Sequence, residues 1–274
     1  MRTVLISALA LAFVAAGCSG GDGASDDGRT SVVAAFFPLA EVARTVGGAG
    51  VEVTDLTPPG VEPHDLELTT DQVDDILDAD LVIVLGGGFQ PAVEDVAEDR
   101  DGPTLVVTED LELGDGDPHV WLDPTVLADV ADAVADELGV ERDAALRREL
   151  ERLDEAYATA LGSCERDLLV AAHDAFGRLA DRYGLRTETI SGLVPEEEPD
   201  PARLDELADL VEREGVTTIF TEPLLPARAA EALARETGAR VATLDPLESD
   251  PGEGYVAAME ANLAALAEGL GCVS

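Results

Sequence analysis

The chain has 274 residues, with 58 Asp and Glu against 17 Lys and Arg, and a formal net charge of −41 at pH 7. A field of that sign repels phosphate backbones and anionic membrane surfaces, so nucleic acid is excluded as a partner; loose attraction of cations follows, but no specific site. Only three histidines and three cysteines occur, few enough that each position is worth reading.

Arg2 is followed by the apolar run VLISALALAFVAA from Val4 to Ala16. The run suits the core of a secretory signal and is shorter than the ~20 residues that span a bilayer. Residues 1–17 are read as a removed signal peptide, and Cys18, after small residues, resembles the lipobox cysteine that becomes the lipidated first residue of a bacterial lipoprotein. An ordinary signal with a chance cysteine is the alternative. Cleavage removes one Arg and moves the net charge to −42. Residues 18–31 are rich in Gly, Ser and Asp and read as a flexible tether. The expected location is extracytoplasmic, lipid-anchored at the cell surface or in the periplasm. Two cysteines remain, Cys164 and Cys272, and an even pair in an exported chain argues for a disulfide; two buried free thiols are the alternative.

From Ser31 short β-rich runs alternate with amphipathic stretches, the pattern of an α/β fold with mainly parallel sheets. Strands are predicted at 32–37, 51–56, 79–85 and 103–108, with helices at about 38–47, 69–78 and 89–98. Residues 124–138 read as helical. Residues 141–161 carry Leu146, Leu150, Leu153, Tyr157 and Leu161 at helical spacing, long enough for a strut between two lobes. A second series follows, with strands at 167–172, 186–190, 217–221 and 240–244 and helices at about 175–183, 201–213, 227–237 and 254–268. The division expected is an N-terminal lobe at 32–138, a linking helix at 139–163 and a C-terminal lobe at 164–274.

All three histidines fall where predicted strands give way to loops. His64 lies in TPPGVEPHDLELT, His119 in DGDPHVWLDP and His173 in AAHDAFG. Ligands of open α/β sheets sit at such carboxyl ends. Singly, each is equally well a turn or surface histidine; together, three imidazoles and one oxygen donor would make a tetrahedral zinc shell. The oxygen candidate is Asp245 in VATLDPLES, which could instead cap a helix or start an Asp-Pro turn. Glu222, at another strand exit, could hydrogen-bond a ligand histidine. Glu62 could approach the metal in place of a water. Trp121 and Phe176 read as packing residues that wall the site.

The segments PPGVEPHDLELT, DPHVWLDP, AAHDAFGRLADRYGL, ISGLVPEEEPDPARLDEL, IFTEPLL and TGARVATLDPL closely resemble, in that order, those of the zinc- and manganese-binding solute-binding lipoproteins of ABC importers. The resemblance covers about residues 32–270. It implies two Rossmann-like lobes, each with a four-stranded mainly parallel sheet, joined by a long rigid helix. It implies metal ligation by His64 and His119 from the first lobe and His173 and Asp245 from the second. Members similar to manganese carriers tend to have Glu at the third position and zinc carriers His, so His173 points to Zn(II), as does its nitrogen donor. The partners implied are a zinc ion, a membrane permease and a lipid anchor, and a monomer is expected. Unlike many zinc carriers, the chain has only the short, histidine-free ELGDGD, residues 112–117, before its DPH segment.

A manganese or iron carrier and, in a different class, a zinc hydrolase are the rival readings. The hydrolase needs an open coordination position and a general base, and no HExxH motif occurs. LGGGFQP, residues 85–91, lacks both the spacing and the lysine of a phosphate loop and reads as an ordinary strand-to-helix turn. PEEEPDP, residues 195–201, reads as a solvated loop. Affinity is expected to fall as the histidines protonate below about pH 6.5.

Overall fold

The structure, a computed structural model, describes residues 28–114, 116–193 and 200–273. The signal peptide, Cys18, most of the tether and most of PEEEPDP therefore lie outside the described residues. No helix among the described residues is long and apolar enough to cross a membrane.

In chain order the elements are β1 (Thr30–Ala34), α1 (Phe37–Gly47), β2 (Val51–Asp55), α2 (Thr70–Asp78), β3 (Leu81–Val84), α3 (Pro91–Glu98), β4 (Thr104–Val106), the single turn α4 (Val107–Asp110) and α5 (Pro124–Leu138). Then come α6 (Ala144–Leu161), β5 (Leu168–Ala171), α7 (Gly177–Tyr183), β6 (Arg186–Thr189), α8 (Pro201–Glu214), β7 (Thr218–Thr221), α9 (Arg228–Thr237), β8 (Arg240–Thr243) and α10 (Tyr255–Leu270). They build two four-stranded sheets, ordered β2-β1-β3-β4 and β6-β5-β7-β8, with every pair parallel.

Composition sorts the strands. The inner strands β3 (LVIV), β5 (LLVA) and β7 (TIFT) are buried on both faces, as parallel strands between helical layers must be. The edge strands β2 (VEVTD), β6 (RTET) and β8 (RVAT) carry the polar residues. The predicted first strand ends early because Pro38 occupies the first turn of α1, drawing Phe37 into the helix. Thr69 caps α2 in a reciprocal capping box with Gln72. Gly139, at φ 65°, closes α5, and Asp143 starts α6 by accepting from the N–H groups of Ala145 and Leu146.

Helix α6 packs on α5 behind it and on α10 ahead. Its Leu150, Leu153, Tyr157 and Leu161 are buried, and the Tyr157 hydroxyl donates to the Met259 carbonyl at 2.7 Å. The alternation of β5 shows how the second sheet is shared. Leu169 and Ala171 join a core continuous with the first sheet, α5, α6 and α10, whereas Leu168 and Val170 join a separate core under α8 and α9. A disulfide links Cys164, after α6, to Cys272, after α10, closing a separation of 108 residues. Cross-linking so long a loop should stabilise by about 2–5 kcal/mol through the unfolded chain. The Cys164→Ser/Cys272→Ser double variant is therefore expected to lose about that much stability in urea unfolding.

Candidate metal centre

The carboxyl ends of both sheets supply the site. Strands β5 and β7 are neighbours with Ala171 opposite Phe220, so two residues further on His173 stands opposite Glu222. Strand spacing alone brings them together: Glu222 accepts from the His173 backbone N–H at 3.1 Å and from Nδ1 at 2.5 Å. His119 follows α4 in a tight turn where Asp117 accepts from both its backbone N–H (2.9 Å) and its Nδ1 (2.7 Å). His64 lies in the loop between β2 and α2, edge-on to the Phe89 ring with centroids 4.4 Å apart.

A carboxylate can only accept, so the Nδ1 atoms of His119 and His173 carry the protons and their Nε2 lone pairs face inward. They face Glu248. Its Oε1 lies 3.2 Å from His119 Nε2, 3.4 Å from His173 Nε2 and 3.4 Å from His64 Nε2, and the two former nitrogens are 3.4 Å apart. One donor atom from each of the four residues lies within 4.8 Å of every other. Zinc bonds of about 2.0–2.1 Å in a tetrahedron require donors about 3.3–3.4 Å apart. Four of the six separations, those of Glu248 Oε1 from the three Nε2 atoms and of His119 Nε2 from His173 Nε2, are 3.2–3.4 Å and match such edges. His64 Nε2, moreover, is buried without a hydrogen-bond partner, as a nitrogen reserved for a cation would be.

The fourth donor corrects the sequence-based expectation: the structure brings Glu248, not Asp245, to the three histidines. Asp245 turns its carboxylate back on its own loop, where Oδ1 accepts from the Leu247 N–H at 2.8 Å. Its backbone is clasped by both ends of the buried Asn262 amide on α10. Leu247 then adopts φ 60°, which reverses the chain and sends the longer Glu248 side chain inward. Asp245 is thus the turn-starting residue of the alternative reading, and it lines a cavity of about 120 Å³ that also touches Glu222, Glu248 and Ser249. Glu62 accepts from the His64 N–H at 3.4 Å and lies outside the group of four.

Rings wall the cluster. Trp121 is fully buried 5.1 Å from His119 and 5.2 Å from Phe89, and Phe176 is buried after His173. Phe89 was not singled out in the sequence, though its setting was. Gly86, Gly87 and Gly88 all have positive φ, and a Cβ on Gly86 would meet Thr108 Oγ1 at 2.5 Å, so this turn takes only glycine and delivers Phe89 to the wall. Asp117 was likewise unread. It also accepts from the Arg178 N–H at the start of α7, tying the His119 turn to the second sheet's helices.

The electrostatics follow from burial against pairing. Burial works against charge on Glu248, yet the His119, His173 and His64 imidazoles gathered around it hold it well below the usual carboxylate range. Burial would lower His173, but Glu222 and Glu248 overcome it and push the imidazole up to about 10. His119 is raised in the same way by Asp117 and Glu248. Burial likewise raises Glu222 and Asp245.

A cluster of three imidazoles and one carboxylate at the carboxyl ends of two open parallel sheets is a donor set that could hold one metal ion, the class of site found in metal-binding proteins. The chain belongs to the family described as zinc-uptake complex component A, periplasmic (ZnuA), whose model matches residues 32–269. The zinc-binding lipoprotein AdcA of Streptococcus pneumoniae is 31% identical, over 96% of this chain and 60% of that relative. The chain spans between 56% and 60% of the length of the AdcA relatives it matches. Among solved structures, the laminin-binding protein Lmb of Streptococcus agalactiae, described as an adhesin with metal-transporting activity, superposes with a TM-score of 0.81. It is 31% identical, over 88% of this chain and 99% of that one. The Zn(II)-bound ZnuA-like domain of pneumococcal AdcA gives 0.75 at 32% identity, over 89% and 99%.

Removing an orienting carboxylate from a metal-bound histidine costs about 10–100-fold in affinity, which is the loss expected for Glu222→Gln. Glu248→Gln should lose more. Asp245→Asn, which keeps the Oδ1 acceptor of the turn, should bind zinc nearly as the parent does. Competition titration against a chromophoric chelator measures all three.

Proposed function

We propose that the protein is the extracytoplasmic capture component of a zinc importer. It takes one Zn(II) on His64, His119, His173 and Glu248 and passes it unchanged to a membrane permease of the ABC class. The observation that carries this reading is the convergence of Glu248 Oε1 on all three Nε2 atoms at 3.2–3.4 Å, with His119 Nε2 and His173 Nε2 3.4 Å apart. Four protein donors fill a tetrahedral shell, and a hydrolase needs one position left for water; the reading is therefore of a carrier and not an enzyme. Three nitrogens and one oxygen favour zinc over manganese. On this reading Cys18 carries the lipid anchor, the chain acts as a monomer at the outer face of the cell membrane, and residues 32–138 and 164–274 are lobes linked by 139–163. The names of its zinc-binding relatives support the assignment.

Metal-stripped protein lacking residues 1–18 should bind one zinc per chain, undisplaced by excess manganese, and His173→Glu should narrow that preference. Manganese winning in the parent would overturn the zinc assignment.

The proton competes with the metal, and the window lies higher than free histidine suggests. His173 is raised from 6.5 to about 10, so its proton stabilises the metal-free fold fully below pH 6.5, and that contribution is lost as the pH rises toward about 10. Zinc must displace this proton. Affinity should climb between pH 6.5 and 9, and binding at pH 7 should release on the order of one proton, read by calorimetry in buffers of different ionisation enthalpy.

A further inference from the structure

Glu248 is the donor that sheet topology explains least. It stands on the loop between β8, an exposed edge strand, and α10, and that loop is held largely from the other sheet. The Trp121 indole N–H donates to the Pro246 carbonyl at 2.7 Å, and the Gly60 N–H donates to Ser249 Oγ at 2.7 Å. Where the loop enters α10, the Tyr255 hydroxyl donates to the Trp121 carbonyl at 2.6 Å and the Tyr255 N–H donates to Glu41 on α1 at 2.9 Å. Trp121 takes part in two of these four bonds, and its partners lie 125 and 134 residues away.

The indole has no freedom to choose another acceptor. It is fully buried, with Phe36 edge-on at 4.7 Å and Phe89 at 5.2 Å. Packing therefore fixes the direction of its single donor, two residues before Glu248 on one side and two residues after His119 on the other. Leu247, between the carbonyl it holds and Glu248, is the residue at φ 60°. That conformation is strained for a non-glycine residue and persists where surroundings enforce it.

We propose that Trp121 is a positioning residue for Glu248: by holding the Pro246 carbonyl it keeps the strained turn that aims the carboxylate at the three imidazoles. Glu248 then belongs mechanically with His64 and His119, and His173 with Glu222 forms the part of the site borne by the second sheet. The inference rests on the zinc-capture reading and adds the device that sets its fourth ligand.

The test is a double-mutant cycle of Trp121→Phe and Glu248→Gln, with zinc affinity from chelator competition because the variant lacks the chain's one tryptophan. Phenylalanine keeps an aromatic ring and loses the N–H. Its loss should weaken zinc about tenfold in the parent, within the range for one buried hydrogen bond, and less than about twofold in the Glu248→Gln background. Equal losses in both backgrounds, or none in the parent, would overturn the positioning role while leaving zinc capture intact. Glu248→Gln binding as tightly as the parent would overturn both. Should Trp121→Phe fail to fold, Tyr255→Phe, which removes the brace on the Trp121 carbonyl, goes through the same cycle with the same expected non-additivity, and additivity there counts against the proposal equally.

Discussion

The site depends on one expensive object, an ionised carboxylate with 1% of its surface exposed. Burying such a charge is tolerated only against paired positive charge and well-made hydrogen bonds. Three carboxylates, Glu248, Asp117 and Glu222, bear directly on the imidazoles, and Arg178 bonds the Asp117 turn from α7. With neutral rings the cluster is therefore short of about two positive charges. Protons on the histidines fill that deficit in part, which is why His119 and His173 are raised. A divalent cation fills it completely and uses the same Nε2 lone pairs. The pairing that makes the empty cluster bearable is thus the pairing that a metal displaces.

That cluster is a consequence of parallel topology. In each sheet the chain reverses its direction of winding beside the first strand, and loops leave the carboxyl ends on opposite sides of that point. His173 and Glu222 leave the adjacent strands β5 and β7 in register, so their contact is written in the strand pairing itself. Nothing comparable aligns His119 with its carboxylate, and there the sequence supplies Asp117 two residues away. The same chemical need, a proton held on Nδ1, is met once by tertiary register and once by local chain geometry.

This division explains what was legible in the sequence. Buried runs such as LVIV and LLVA, and the glycines and acids that end and start helices, are local signals, and they located the strands and helices closely. The histidines were legible because strand exits are local too. Glu248 was not: Asp245 sits nearer its strand and looks like a donor, and no residue type announces that Leu247 will take a positive φ. That turn is held by Asn262, 17 residues from Asp245, and by Trp121, 125 residues from Pro246, contacts that no periodicity encodes. Asp117 could have been found, since a carboxylate two residues before a candidate ligand can reach both its backbone N–H and its Nδ1.

Donor chemistry alone does not set metal preference here; the walls contribute. An ion that favours six oxygen-rich ligands needs two donors beyond the four that converge. On the first-sheet side of the cluster stand Phe89 against His64 and Trp121 against His119, rings that offer no lone pair and are locked by contact with each other and with Phe36. Widening the cluster toward that side would mean moving those rings, and the Trp121 ring also holds the loop of Glu248 through Pro246. On that side, expansion of the coordination shell and loss of the fourth ligand are mechanically coupled: to make room there for a fifth donor the protein must loosen its fourth. A tetrahedral ion escapes that penalty, which is why a nitrogen-rich site closed by aromatic rings suits zinc on geometric as well as chemical grounds.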